Sequence, residues 1–265
     1  MYAFNYLRAK SVDEAVKAVK GASEGKFLAG GHTLIPTLKQ RLAHPSDLVD
    51  ISGIGELKGI RREGSNLVIG ATTRHVDVAN SAEVKSAIPA LAHLAGLIGD
   101  PAVRHRGTLG GSLANNDPAA DYPAAVLALG AIIKTSKRDI AADDFFKGLF
   151  TTALEDGEII TAVDFPLIDK AGYAKFRHPA SRFALTGVFV AKKGGEVRVA
   201  AVGASQNGVM RVPAIEAALK ANWSAGAIDS VKISADGMLS DLHGSSDYRA
   251  NLIKVMAQRA VAAAG

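Results

Sequence analysis

Ser11-Val-Asp-Glu14 opens a run in which Val12, Ala15, Val16 and Val19 recur at the spacing of one helix face. A hydroxyl followed three residues later by a carboxylate is a capping box, so a helix begins there. Lys26-Phe-Leu-Ala-Gly30 then reads as a short buried strand running into glycines, and after His32 the apolar residues Leu34, Leu38 and Leu42 return to helical spacing. Asp47–Ile51 is a second strand, so the first fifty residues predict a compact β-α-β lobe in which a glycine turn enters a helix. Leu57–Ile60 and Leu67–Gly70 flank Glu63-Gly-Ser-Asn66, a hairpin signal, and helical patterns follow near Val76–Ala79 and Ile88–Ile98. The stretch from Gly99 to Asp121, GDPAVRHRGTLGGSLANNDPAAD, is too rich in Gly, Pro, Asn and Asp for one regular element. It reads as a long loop of the kind that carries function, leading into an apolar helix at Tyr122–Leu129. Beyond Gly172 the pattern is antiparallel β, with strands at Tyr173–Arg177, Ala184–Lys192 and Val197–Ala204 and a hairpin turn at Lys193–Glu196. Helical segments around Ala214–Lys220, Ala225–Val231 and Tyr248–Ala264 close the chain, and a domain boundary is expected near Pro166–Gly172.

Composition narrows the chemistry. With 265 residues, 48% hydrophobic and 22% charged, the chain is long enough for a substantial core and has ordinary globular balance. It contains no cysteine, which excludes disulfides, thiolate zinc sites, cysteine nucleophiles and self-ligated iron–sulfur clusters. The excess of 31 basic over 26 acidic residues gives +5, but the basic residues are scattered in pairs such as Arg61-Arg62, Lys137-Arg138 and Lys192-Lys193. Without a basic stripe or interleaved aromatics, a solvated surface is the better reading than a nucleic-acid face. The N-terminal residues lack a charged segment before an apolar core, and no run of about 18 apolar residues occurs, so a soluble cytoplasmic protein with no transmembrane segment is expected.

Several motifs are missing or incomplete. There is no P-loop and no strand-G-x-G-x-x-G-helix unit; Gly203-Ala-Ser205-Gln-Asn207 lacks the last glycine of a nucleophile elbow. The histidines are dispersed without metal-ligand spacing, and Glu155, Asp156 and Glu158 read as a solvated acidic turn beside Gly157. Two glycine pairs remain, Ala29-Gly30-Gly31-His32-Thr33 and Thr108-Leu109-Gly110-Gly111-Ser112. The first joins a strand to a helix start, where free N–H groups attract anions, and the second adds hydroxyls from Thr108 and Ser112. Together they would grip a pyrophosphate with neutral donors; on spacing alone, both serve equally well as tight turns.

The segments KFLAGGHTLIPTLKQR (26–41), IGATTRH (69–75), IGDPAVRHRGTLGGSLANNDPAADYPAAVLALGA (98–131), GEIITAVDFP (157–166), GYAKFRHPASRFALTGVFVA (172–191) and DYRANLIKVMAQRAV (247–261) carry a resemblance. The chain resembles the FAD-binding medium subunit of the molybdenum hydroxylases, the family of xanthine dehydrogenase and aerobic carbon monoxide dehydrogenase. The resemblance implies an α+β fold. An FAD-binding unit of the vanillyl-alcohol-oxidase type would have lobes at 1–55 and 56–168, followed by a C-terminal domain at 172–265 with a three-stranded antiparallel sheet.

Carried over to this sequence, the first pyrophosphate loop would be Phe27, Leu28, Ala29, Gly30, Gly31, His32, Thr33 and Leu34, and the second Thr108, Gly110 and Gly111. Ile98 would line the pocket, Asn115 and Asp117 would shape the loop, and Asp121 would be the acidic residue bound to FAD, whether or not it also caps the next helix. Ile160 would make an apolar backbone contact. Lys175 would lie near the pyrimidine edge of the flavin, where an ammonium stabilises the reduced ring. Phe183 would screen the isoalloxazine or pack in the core; Arg104 and Arg106 would approach FAD or a partner. His32 is expected to act through its backbone, since the family's FAD is noncovalent. The resemblance further implies two partners, a large molybdenum–pterin subunit and a small [2Fe–2S] subunit, in a dimer of heterotrimers. NAD, quinone or oxygen would accept the electrons, and no catalytic residue beyond the flavin is expected. The alternatives are a stand-alone FAD-dependent oxidase or reductase of the same fold superfamily, and a basic nucleic-acid or scaffold-binding module.

Overall fold

The computed structural model describes residues 1–264; Gly265, the last residue of the expected C-terminal domain, lies outside them. In the first lobe, β1 (Asn5–Arg8), α1 (Val12–Gly21), β2 (Gly25–Leu28), α2 (Leu34–Lys39) and β3 (Asp47–Asp50) build a parallel three-stranded sheet in the order β1-β3-β2. Strand β1, which the hydrophobic pattern does not announce, is exposed along its length. Ser11 caps α1 by accepting from Glu14 N at 3.2 Å, while the Glu14 carboxylate accepts from Lys10 N at 2.8 Å, one residue earlier than a standard box. Ala15 packs that helix onto Val49, Ile51, Ile54 and Leu57. Helix α2 ends before the expected Leu42, which is 73% exposed. Arg41 adopts a left-handed conformation (φ 59°), and the bonds Leu42 N to Thr37 O and Arg41 N to Leu38 O close the helix as a Schellman motif without its usual glycine.

The second lobe pairs the expected hairpin, β4 (Ile60–Glu63) with β5 (Asn66–Gly70), with Ile60 opposite Ile69. Five short helices follow: α3 (His75–Asn80), α4 (Ala82–Ala87), α5 (Pro89–Gly96), α6 (Pro101–Arg106) and α7 (Leu109–Asn115). The last two replace the expected long loop. Asp100 accepts from Val103 N (2.9 Å) ahead of Pro101, and Thr108 Oγ1 accepts from Gly111 N (3.2 Å), so each helix starts on its own capping side chain. Helix α8 (Tyr122–Ala128) is wholly buried and leads to β6 (Ile132–Thr135), β7 (Asp139–Ala141), the turn α9 (Ala142–Phe145), the hairpin β8 (Phe146–Gly148) and β9 (Thr151–Thr152), and β10 (Ile160–Pro166). Strand β10, last in sequence, lies central in space, giving the order β4-β5-β10-β6-β7.

A third sheet is a meander of β11 (Lys170–Arg177), β12 (Ala184–Lys193), β13 (Glu196–Ser205) and β14 (Gly208–Arg211), followed by α10 (Pro213–Ala221) and α11 (Ser246–Ala263). It has four strands rather than the expected three, because Ser205 pairs with Gly208 across a tight turn and the chain returns along β13. The segment expected as a helix at Ala225–Val231 is a 3-10 turn, Ala225–Ile228, capped by Ser224. Alternation along β12 divides the burial: Val188 and Val190 face α10 and α11, whereas Phe189 and Ala191 join the core of the second lobe. The chain passes from the second sheet to the third between Pro166 and Lys170, yet the hydrophobic core does not divide there.

Candidate functional site

A cavity of about 690 Å³ lies between the first lobe and the short helices of the second. All the expected site residues line it except Lys175. One wall is the turn from β2 into α2. Gly31 holds φ +75°, and a Cβ on Gly30 would overlap the carbonyl oxygen of Arg106, so glycine lets this turn press on the end of α6. The backbone N–H groups of Gly30, Gly31, His32 and Thr33 find no acceptor among the described residues. Four such donors on residues that line one cavity suit an anion.

The second glycine pair works differently. Gly110 N donates to Ala71 O (2.8 Å), Leu109 N to Thr73 O (3.1 Å), and Gly111 N to Thr108 Oγ1, so these amides are already occupied. What Gly110 contributes is proximity, since a Cβ there would lie 2.6 Å from the Ala71 methyl. The Thr108 and Ser112 side chains remain as possible neutral donors at the cavity wall. The two pairs therefore divide the work, the first offering amides and the second letting a helix sit close.

Farther along, Asp121 is buried at the start of α8 without capping it; its carboxylate turns to the third sheet. Oδ1 accepts from the Tyr173 hydroxyl at 2.6 Å, and the Lys175 ammonium lies 2.9 Å from Oδ1 and 3.0 Å from Oδ2. Lys175 also donates to Leu97 O (3.2 Å), and its side chain is 1% exposed, so it stands behind Asp121 and is not part of the cavity lining. Burial pushes the Asp121 carboxyl upward, opposed by the Lys175 charge and the Tyr173 hydroxyl. Burial and the Asp121 charge push the Tyr173 phenol well above its ordinary range, so it stays a donor.

Asn115 and Asp117 line the wall on either side of Asn116, which is left-handed (φ 44°) and ends α7. Asp117 shapes the following turn by accepting from Ala119 N at 2.8 Å. Ile98 is held by Arg104, whose guanidinium donates to the carbonyls of Ile98 (2.9 Å) and Gly99 (3.2 Å), a structural role the sequence left open. Ile160 supplies apolar wall from β10, and Phe183, 52% exposed, borders the opening ahead of β12.

Two further residues, His75 and Glu158, line the cavity. His75 is 5% exposed, its Nδ1 is buried without a partner, and its ring lies 5.3 Å from that of Tyr122. Burial, with the nearby charges of His32 and Arg104, lowers its pKa to about 4, so the imidazole is neutral at pH 7. It ends the segment IGATTRH, and no periodicity marks it as buried. The second residue, Glu158, corrects the solvated acidic turn: it is buried, accepting from Thr135 Oγ1 (2.6 Å), Arg138 (3.2 Å) and Glu155 N (2.8 Å). Burial works against its charge, but these donors hold its carboxyl below the ordinary range. Among the described residues no three metal-ligating side chains cluster, and no helix is long and apolar enough to cross a membrane.

Comparison with known proteins gives this geometry a context. Residues 2–168 match the family described as FAD binding domain in molybdopterin dehydrogenase. The chain is 36% identical over 271 residues to the glyceraldehyde dehydrogenase medium chain of Sulfolobus acidocaldarius, covering 97% of this chain and 96% of that one. It is also 36% identical over 281 residues to the carbon monoxide dehydrogenase medium chain of Hydrogenophaga pseudoflava, covering 98% and 96%. Among solved structures, a chain of reconstituted CO dehydrogenase from Oligotropha carboxidovorans superposes with a TM-score of 0.89 at 32% identity, covering 99% of this chain and 98% of that one.

Proposed function

Because this chain belongs to the FAD-binding family of the molybdopterin dehydrogenases, as a medium chain, we propose that it holds FAD noncovalently in the cavity and serves as the electron-exit subunit of a molybdenum hydroxylase. The observation that carries this reading is the row of unpartnered amides at Gly30–Thr33, facing a cavity whose volume is in the range of small-molecule sites. A pyrophosphate suits those amides, and Gly30 and Gly110 let the turn and α7 pack against Arg106 and Ala71, where a Cβ would overlap. Thr108 and Ser112 would add neutral hydroxyl donors, Ile98 and Ile160 would exclude water, and Asp121 would accept a hydrogen bond from the cofactor. Asn115 and Asp117 would fix the loop between them, and Phe183 would cover the opening. Lys175 would act through Asp121, keeping that carboxylate charged near the ring and tuning its electron affinity. When bound, FAD supplies a ring that takes single electrons and releases them to an acceptor.

We assign 1–55 and 56–168 as the two lobes of the FAD-binding unit and 172–265 as the C-terminal domain. Since the sequence has no cysteine, iron–sulfur clusters would sit on a small partner subunit and the molybdenum–pterin on a large one, in a dimer of heterotrimers. Two relatives of equal identity are named for glyceraldehyde and for carbon monoxide, so substrate choice would lie on the large subunit. NAD, a quinone or oxygen would take the electrons in the cytoplasm. Native co-purification tests this: the complex is expected to contain molybdenum, iron and FAD, and acid precipitation to release the yellow cofactor into the supernatant. Colour retained in the pellet would favour a covalent oxidase. Turnover of an organic substrate by the single chain would overturn the exit-subunit reading.

A further inference from the structure

The carboxylate expected to meet the cofactor is held by residues outside the matched FAD-binding segment. Asp121 belongs to that segment, residues 2–168, but both side chains that grip it come from β11 of the third sheet. Tyr173 and Lys175 are two residues apart on one strand, hence on one face, and they reach the same carboxylate. Their contributions differ. Lys175 supplies charge and is shared with the Leu97 carbonyl, whereas among the described residues the Tyr173 hydroxyl bonds only Asp121, at 2.6 Å.

The sheet makes room for that hydroxyl. Gly187 on β12 pairs with Lys175, and a Cβ at position 187 would overlap the Tyr173 hydroxyl oxygen. Phe189, opposite Tyr173, packs at 6.1 Å from its ring and fixes the ring plane. The phenol is therefore aimed by packing on one side and by an absent side chain on the other.

We propose that Tyr173 is a positioning residue for the cofactor: its hydroxyl fixes the Asp121 carboxylate at the cavity wall, which makes the third sheet a working part of the FAD site. The inference rests on the cavity being the FAD site. The Tyr173 bond holds Oδ1 and Lys175 contacts both oxygens, which leaves one acceptor site on Oδ2 for an N–H or O–H group of the ligand.

The test is a double-mutant cycle on FAD affinity, read by quenching of flavin fluorescence as the full-length apo chain is titrated. Tyr173→Phe is expected to weaken binding about 10-fold, the lower end of the worth of one hydrogen bond to a charged group. Asp121→Asn is expected to weaken it at least as much, and the double variant no further than Asp121→Asn. A pH profile separates positioning from packing. The groups facing Asp121 are Tyr173 and Lys175, with Arg177 farther along β11 and Tyr122 beside it on α8. Loss of the phenolic donor favours the protonated carboxyl, so Tyr173→Phe is expected to lose FAD at a higher pH than the parent as pH falls.

Should Tyr173→Phe fail to fold, 3-fluorotyrosine at position 173, a near-isosteric and stronger donor, is expected to move the profile to lower pH. An unchanged affinity in Tyr173→Phe, or a penalty that simply adds to that of Asp121→Asn, would overturn the inference while leaving FAD binding by the parent intact. A parent chain that binds no FAD would instead remove the reading of the cavity itself.

Discussion

Single residues in this protein do their work through what they lack as much as through what they present. Gly30 lacks a Cβ and so touches Arg106; His75, buried, lacks the solvation a charge needs and so stays neutral. The histidine carries a measurable consequence. Its folded pKa is about 4, whereas an unfolded histidine titrates near 6.5. Between those values the unfolded chain binds a proton that the folded one refuses, so stability falls as pH drops through the window. The loss amounts to about 3 kcal/mol at the acid end. His75→Phe is expected to remove that slope, measured by urea unfolding of the apo chain at pH 7, 5.5 and 4. A slope unchanged by the substitution would assign the acid sensitivity to other groups. The glycines were legible in the sequence because a close backbone approach restricts residue type locally. His75 and Glu158 were not, because their burial depends on segments distant in sequence.

At the scale of elements, the segment expected as one loop is two capped helices ended by a clamp. Asn116, left-handed and buried, donates from Nδ2 to the carbonyls of Gly148 and Thr151 at 2.8 Å each, while Phe150 N donates back to Asn116 O (3.1 Å). The clamp fixes the β8–β9 hairpin, whose tip residue Phe150 is itself left-handed at φ 54°. Asn116→Ala removes both bonds and places a Cβ residue where asparagine is favoured, a cost of about 2 kcal/mol. Asn116→Gly restores the backbone but not the bonds and is expected to lose about half as much. Urea denaturation of the two variants, with proteolysis at the hairpin tip, distinguishes conformation from clamping; equal losses would mean that the clamp alone matters. The capping signals of α6 and α7 stand in the sequence as Asp100-Pro101 and Thr108, but the Gly and Asn content outweighed them. Strand β14 and the 3-10 turn at Ala225–Ile228 leave no clear local pattern for a similar reason: short elements take their conformation from neighbours.

For the molecule as a whole, the decisive fact is that the core crosses the chain boundary near residue 168. Tyr173, Phe189, Ala191, Ala200 and Val202 belong to the same cluster as α5, α8 and the second sheet. Arg198 adds a polar tie, donating to Leu127 O (2.9 Å) and Asp143 (2.7 Å). A fragment ending at 168 would expose α8, which is buried on every side in the full chain. It is therefore expected to aggregate and to bind no FAD, whereas the full chain unfolds in one transition with matching calorimetric and van't Hoff enthalpies. A monomeric, cooperatively folding fragment with FAD bound would show that the third sheet is dispensable.

The sequence by itself determined the family, the two glycine pairs, the hairpins and the absence of thiolates, since each is written in residue type and local spacing. It also singled out the candidate site residues, all but one of which the structure brings to the wall of one cavity. Only the tertiary structure decided which amides are free and which are spent, that Lys175 meets Asp121 rather than the cavity, and that His75 is buried. Hydrogen-bond partners and burial depend on which segments pack together, and in this chain Asp121 finds its partners more than fifty residues away.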